Sequence, residues 1–408
     1  SKQEFCCMKV LHTADWHLGK RLDNYSRLEE QINVMNEIVQ IAEQENVDLV
    51  LIAGDLFDTF NPGVEAVELF YKTLKKLSNN GKRPVVAIAG NHDSPNLIDA
   101  PNPLARECGI ILIGHPKAVI SPFELADFSI TKTDEGFIEL SLHHLPYPIR
   151  ILHTPYANEQ RLKQFLGEEK EAQLNQVLAE NWQRLANTYC DNKGVNLLIT
   201  HLYMNPSAQQ LLDEPDGEKP LKIGNADLVF ASSIPQEIHY TALGHLHKYQ
   251  NIGSEEKPIV YSSSPLCYSF SEAGQTKYVN LVEIVPNERI KMKKIELKVG
   301  KPLIRKQFDS VEKTVDWLKE NQNALVELTL ESDTFLQASD RQKIYRAHKG
   351  IIHLIPQLKN LQAEQSTHST IQLNKDIGEL FRDYFRSKQN AQEPTDEIME
   401  LFNEILHS

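Results

Sequence analysis

The chain has 408 residues, 41% hydrophobic and 24% charged, which gives room for two or three domains around a substantial core and excludes a disordered or low-complexity protein. Its formal net charge of −13 excludes a nucleic-acid binder that relies on overall basicity, although bound divalent ions and nearby Lys20, Arg21 and Lys248 would change the local balance. Five scattered cysteines without a C-x-x-C spacing point to a reducing cytosol rather than a disulfide framework or zinc knuckle, no apolar run approaches the ~18 residues of a membrane span, and residues 1–7 lack the apolar stretch of a signal peptide.

Strands and helices alternate through the first half. Residues 10–14 form a short apolar strand that ends in Asp15. Residues 28–45 place Leu28, Ile32, Met35, Ile38, Val39 and Ala42 at helical spacing. A buried strand at 48–53 leads into Gly54-Asp55, a helix at 64–77 is entered through Asn61-Pro62, and a strand at 85–89 ends in Gly90-Asn91-His92-Asp93. The spacing then predicts a long polar surface helix over 160–186, a strand at 196–200 ending in His201, an exposed loop over 205–222, and a strand at 240–243 ending in Gly244-His245-Leu246-His247.

The character changes near residue 291. Strands at 290–297 and 325–330 flank a helix at 311–320, the pattern of a small α+β appendage. Residues 357–375 are polar and read as a linker, followed by amphipathic helices at 377–385 and 398–406. The expected divisions are a principal α/β domain at 8–288, the appendage at 289–356, the linker at 357–375 and the terminal helices at 376–408.

Five polar clusters follow apolar strands: Asp15-x-His17, Gly54-Asp55-x-x-Asp58, Gly90-Asn91-His92-Asp93, His201 and Gly244-His245-x-His247. Ligands of open α/β sheets sit at the carboxyl ends of strands, so these five ends are expected to converge. Carboxylates mixed with imidazoles suit manganese, iron or zinc. A two-metal phosphoesterase needs a carboxylate to bridge ions about 3.5–4 Å apart, and Asp55 at the end of the central strand is the candidate. The expected split gives one ion Asp15, His17, Asp55 and His247, and the other Asp55, Asn91, His201 and His245. His245 and His247 alternate along an extended segment and so share a face. His92 would stabilise phosphoryl charge or protonate the leaving oxygen, with Asp58 orienting its imidazole. Each cluster alone is as readily a turn or a satisfied histidine, which is the reading kept for His143, His144, His153 and His353. The set of five at strand ends is a different matter. No P-loop, dinucleotide fingerprint or G-x-S-x-G elbow occurs.

D-W-H-L-G at 15–19, G-D-L-F-D at 54–58, G-N-H-D at 90–93 and G-H-L-H at 244–247 resemble the motifs of calcineurin-like metallophosphoesterases. Longer stretches, such as A-L-G-H-L-H-K-Y-Q and Y-S-S-S-P-L-C-Y-S-F-S-E-A-G-Q-T-K at 261–277, narrow the resemblance to the SbcD family of bacterial nucleases. That resemblance implies a two-sheet sandwich covered by helices, with a small α+β DNA-capping domain after residue 291. It implies ATP-dependent double-strand exonuclease and single-strand or hairpin endonuclease activity on DNA, in repair, recombination and replication. Two divalent ions, usually manganese, would serve the chemistry. The partner would be an SMC-like ATPase, SbcC, which accounts for the missing P-loop, and the location the cytoplasmic nucleoid. A homodimer would form through the helix at 64–77 and the segment after Pro101. The terminal helices would dock on the partner. Their stripes Ile377, Leu380, Phe381, Tyr384, Phe385 and Ile398, Leu401, Phe402, Ile405 equally allow packing on their own domain. One departure stands out: where the family has L-P-Y-x-R-P, this chain has His153-Thr154-Pro155-Tyr156-Ala157-Asn158.

Two rivals follow. A phosphodiesterase or phosphatase with a non-DNA substrate shares the ligand set, but protein phosphatases of this type carry Arg and Glu where Thr59-Phe60 and Asp93 stand here. A non-catalytic scaffold of the same fold would be expected to have lost ligands, and all seven are present.

Overall fold

The computed structural model describes residues 6–168, 170–214, 228–359, 377–388, 393–395 and 398–402. A six-stranded sheet runs in the order Lys291–Leu297, Lys277–Ile284, Met8–Thr13, Leu49–Ala53, Val85–Ile88, Ile110–Ile113. Its last four strands are parallel. An eight-stranded sheet runs Gln250–Asn251, Ile259–Tyr261, Tyr240–Gly244, Val195–His201, Ile149–Thr154, Phe137–Leu142, Phe128–Asp134, Phe123–Glu124. Its strands from Ile149–Thr154 to Ile259–Tyr261 are parallel.

The strands buried on both faces are unbroken apolar runs, L-V-L-I-A at Leu49–Ala53 and V-V-A-I at Val85–Ile88. Alternation then sends Val10, Leu49, Leu51 and Ile88 inward against Ile138, Ile149, Leu197 and Ala242 of the second sheet, all fully buried. Val50, Ile52, Val85 and Ala87 face outward and are covered by Val34 and Ile38 of the Leu28–Gln44 helix and Phe70 and Leu74 of the Val64–Leu77 helix. Each such Val, Leu, Ile or Phe side chain contributes roughly 1.5–3 kcal/mol of burial, which supports the rim above.

The helix expected over 160–186 divides into Glu159–Leu162 and Lys170–Tyr189. The longer piece is not purely a surface helix. Leu174, Leu178, Trp182 and Leu185, at spacings of three and four, bury against Leu152 and Leu198 on the second sheet.

His12 ties the two sheets together below the rim. The Tyr240 hydroxyl donates to its Nδ1 at 2.7 Å and its Nε2 donates to the Leu243 carbonyl at 3.0 Å. Asn280 donates to the Tyr240 oxygen at 2.9 Å, which leaves the hydroxyl proton for His12.

Lys291–Leu297, expected as the first strand of the appendage, is instead the edge strand of the six-stranded sheet, antiparallel to Lys277–Ile284. Alternation marks a strand but not its hydrogen-bonding neighbour, and a short turn after Ile284 favours the hairpin. A three-stranded sheet of Leu303–Phe308, Leu325–Ser332 and Ile351–Leu358 follows, with helices Val311–Glu320 and Ala338–Ala347. The first two strands are parallel. The described residues of 331–336 and of the segment from 356 onward belong to a separate compact unit. Within it the Ile377–Lys388 helix stacks Phe381 on Phe402, ring centroids 4.1 Å apart. Residues 360–376, most of the expected linker, and 403–406 lie outside the described residues.

Candidate metal centre

The loops after Met8–Thr13 and Leu49–Ala53 continue side by side beyond the sheet. The Asp15 amide donates to the Gly54 carbonyl at 3.0 Å and the His17 amide to the Asp55 carbonyl at 2.9 Å. In the second sheet His201 lies in register with Gly244. The motif glycines make this closeness possible. A methyl group on Gly54 would overlap the His201 ring, one on Gly90 the Asp55 carboxylate, and one on Gly244 the Ala53 carbonyl. Asp15, His17, Asp55 and His245 themselves have left-handed or positive-φ backbone, at 56°, 45°, 50° and 109°. Such conformations cost roughly 1–3 kcal/mol each and concentrate at functional sites.

All seven expected ligands come together. The His17 Nε2 lies 3.2 Å from the His247 Nε2 and 3.5 Å from the Asp55 Oδ2. The His201 Nε2 lies 3.2 Å from the same Asp55 oxygen and 2.9 Å from the Asn91 Oδ1. Three triplets, Asp15-His17-His247, His17-Asp55-His92 and Asp55-His201-His245, each bring their ligand atoms within 4.8 Å of one another. Every one of these residues is buried.

The donor chemistry fits divalent ions. Each of the four imidazoles turns one ring nitrogen to an outer acceptor. The His17 Nδ1 faces the Asp58 carboxylate at 3.4 Å, the His201 Nδ1 donates to the Ala53 carbonyl at 2.8 Å, the His245 Nε2 donates to Glu214 at 2.6 Å, and the His247 Nδ1 faces Glu272 at 3.5 Å. An outer acceptor on a ring nitrogen favours the tautomer whose inner nitrogen is a lone-pair donor, the arrangement of metal-ligating histidines. His201 and His245 have such an acceptor in hydrogen-bond contact, and His17 and His247 have a carboxylate facing them. The Nε2 atoms of His17 and His247, 3.2 Å apart, are close enough to ligate one cation together. The Asp15 Oδ2 is buried with no hydrogen-bond partner, while its Oδ1 accepts the His245 amide at 2.9 Å. Burial alone would raise the Asp55 carboxyl, but positive charge on His201, His92 and His17, when they are protonated, reverses this and holds it well below the usual range. A divalent cation held by neutral imidazoles would act in the same direction.

Asp58 corrects one expectation. Its carboxylate does not orient His92. Its amide is tied to the Leu18 carbonyl at 3.2 Å, which turns the side chain toward His17 and Lys20, the latter at 3.2 Å. The backbone carbonyl of Asp58 instead accepts from the His92 Nδ1 at 2.8 Å. The His92 amide donates to the Asp55 Oδ1 at 2.9 Å, so the imidazole and the central carboxylate are fixed together.

Four further residues organise the site. Asp93 accepts the amides of Gly90, Leu56 and Phe57 at 2.8, 3.0 and 2.9 Å and joins the second and third loops. Arg161 donates to the carbonyls of Gly90 and Asp93 and packs on Tyr156 and Phe60. Glu272 meets Lys277 at 2.7 Å besides facing His247. Glu214 holds His245. Asp93 belongs to the G-N-H-D cluster, and the Ser269-x-x-Glu272 capping-box spacing is the local signal that could have found Glu272. Nothing in the local pattern marks Arg161 or Glu214.

A profile of the calcineurin-like phosphoesterase family matches residues 8–249. The chain is 35% identical to SbcD, the D component of the nuclease SbcCD, of Bacillus subtilis (strain 168), over 98% of this chain and 97% of that protein. It is 30% identical to the protein of the same name from Staphylococcus epidermidis, over 71% of this chain and 70% of that one.

Proposed function

Because this chain belongs to the calcineurin-like phosphoesterase family, as an SbcD-type metal-dependent nuclease that hydrolyses phosphodiester bonds, we propose that its active centre is the rim of Asp15, His17, Asp55, Asn91, His201, His245 and His247. Two divalent ions would share Asp55, with Asp15, His17 and His247 available to hold one and Asn91, His201 and His245 the other. The supporting observation is the common orientation of the four imidazoles: the outer nitrogens of His201 and His245 are hydrogen-bonded to acceptors, and those of His17 and His247 face carboxylates at 3.4 and 3.5 Å.

Two bound ions supply Lewis acidity, which activates water and neutralises charge on the phosphoryl oxygens. The protein's share is orientation and proton transfer. Asp55 and Asp15 balance the charge of the centre. His92, with Nδ1 held by the Asp58 carbonyl, exchanges its proton at Nε2 and passes it to the departing sugar oxygen. Asp58 supports this indirectly, through its carbonyl on His92 and its carboxylate on His17.

The substrate is DNA, cleaved as an ATP-dependent 3'-5' duplex exonuclease and as a single-strand or hairpin endonuclease. Manganese is the resident ion. The named relatives are components of an SbcCD nuclease, and an SMC-like ATPase, SbcC, is the corresponding partner here. Its docking site is the terminal unit, where Tyr384 and Leu401 are more than half exposed. A homodimer through the Val64–Leu77 helix and the segment after Pro101 accounts for exposed Val64 and Leu104, at 82% and 73%. Among the described residues no helix is long and apolar enough to cross a membrane; the place of work that goes with a DNA substrate is the cytoplasmic nucleoid.

The test is cleavage of linear duplex and hairpin DNA by the full chain with manganese, with and without the ATPase partner, alongside metal analysis. The reading expects two ions per chain and partner-stimulated degradation. Activity confined to small phosphodiesters under every condition would remove DNA as the substrate.

A further inference from the structure

His245 leans on a side chain from a segment without any phosphoesterase motif. Its Nε2 donates to the Glu214 Oε1 at 2.6 Å, and the two side chains are only 2% and 4% exposed. The approach of Glu214 is built into the chain before it. Tyr203–Asn205 pairs in parallel with Leu228–Phe230. The Leu212 amide donates to the Asn205 Oδ1 at 2.7 Å, and the Tyr203 hydroxyl donates to the Leu212 carbonyl. The segment is therefore anchored two residues before the carboxylate.

A buried carboxylate needs a compensating partner. A carboxylate on the outer N–H of a ligating imidazole fixes the tautomer, orients the ring and raises its basicity. We propose that Glu214 is the positioning residue of His245, holding the proton on Nε2 so that Nδ1 is the nitrogen offered to the ion shared with Asp55, Asn91 and His201. The inference rests on the two-ion reading above and adds an asymmetry to it. The matching carboxylate on His247, Glu272, is held by Lys277 and by the amides of Tyr268 and Ser269, both at 3.0 Å, a frame belonging to the nuclease motif itself. Glu214 arrives from outside that motif, so the two ion sites are tuned by separate parts of the chain.

The experiment is calorimetric titration of the metal-free full chain with manganese, for the parent protein, Glu214→Ala and the isosteric Glu214→Gln. The parent should take up two ions. Glu214→Ala should bind one ion unchanged and the other about 10–100-fold more weakly. Glu214→Gln, whose amide oxygen still accepts the His245 proton, should recover part of that loss with an unchanged melting temperature in the metal-free state. Raising manganese should restore cleavage by both variants. Unchanged binding of both ions by both variants overturns the role of Glu214. Tighter binding or faster cleavage also overturns it and makes Glu214 a plug in the ligand position. A parent protein that takes up no manganese refutes the two-ion reading itself, a result separate from any behaviour of the variants.

Discussion

Arg161 donates to the backbone carbonyl of Asp93 at 2.9 Å, from a four-residue helix that lies outside the loops of the candidate metal centre. A second hydrogen bond, to Gly90 at 2.8 Å, brackets Asn91 and His92 between the two anchored carbonyls. The guanidinium thus sets the height of the loop that presents both residues. Arg161→Ala should lower cleavage about 100-fold, the scale of an ångström-sized misplacement. The loss should fall on kcat, with duplex binding much less affected. An equal fall in binding would assign Arg161 to substrate contact instead.

Asp55→Asn keeps the shape of the central side chain and removes its charge. Several kcal/mol of transition-state stabilisation should go with it, which is about a thousandfold or more in rate. Metal analysis of the purified variant should show fewer than two ions. Retention of both ions with wild-type cleavage would exclude Asp55 as the shared ligand.

His92→Gln separates chemistry from metal binding. The seven proposed ligands are untouched, so manganese content should match the parent. Cleavage should fall by about 10²–10⁴-fold, the usual range for a lost general acid. Substrates with a better leaving group, such as an aryl phosphodiester, should lose much less. Equal losses on both substrate types would give His92 a role other than proton donation.

His12 gives the fold a pH dependence of its own. Burial holds its imidazole down to about 3, only partly offset by the hydrogen bond to Leu243. The unfolded chain protonates it near the ordinary value of about 6.5. Above that pH neither state takes up a proton. As pH falls from about 6.5 toward 3 the unfolded state gains a proton that the native state refuses, so stability falls, by at most about 1.4 kcal/mol per pH unit. The denaturant stability of the parent relative to His12→Gln should therefore shrink between pH 7.5 and 5. A constant difference across that range would show that His12 does not titrate on unfolding.

The strand-end clusters were legible because parallel strands leave their carboxyl ends on one edge, which makes D-x-H, G-D, G-N-H and G-H-x-H at the ends of apolar runs a spatial statement. The glycines in them were legible as turn residues, but not as the gaps that admit the His201 ring and the Asp55 carboxylate. Asp58 misled because sequence spacing does not separate a side chain from its own carbonyl, and here the carbonyl reaches His92. Lys291–Leu297 misled because alternation is indifferent to which strand receives the hydrogen bonds. Arg161 and Glu214 were invisible for a third reason. Each acts through long-range polar contacts, and such contacts leave no period in the chain.

Asp15, His17, Asp55 and Asn91 stand on the six-stranded sheet, and His201, His245 and His247 on the eight-stranded one. Ions held by the proposed set are therefore rivets as well as reagents, since neither half of the sandwich can part from the other without giving them up. At a hundred times the dissociation constant, each site adds about 2.7 kcal/mol to the free energy of unfolding. Chelation should accordingly lower the melting temperature of the nuclease domain, and the metal supply of the cell would govern how long the folded enzyme lasts as well as how fast it cuts.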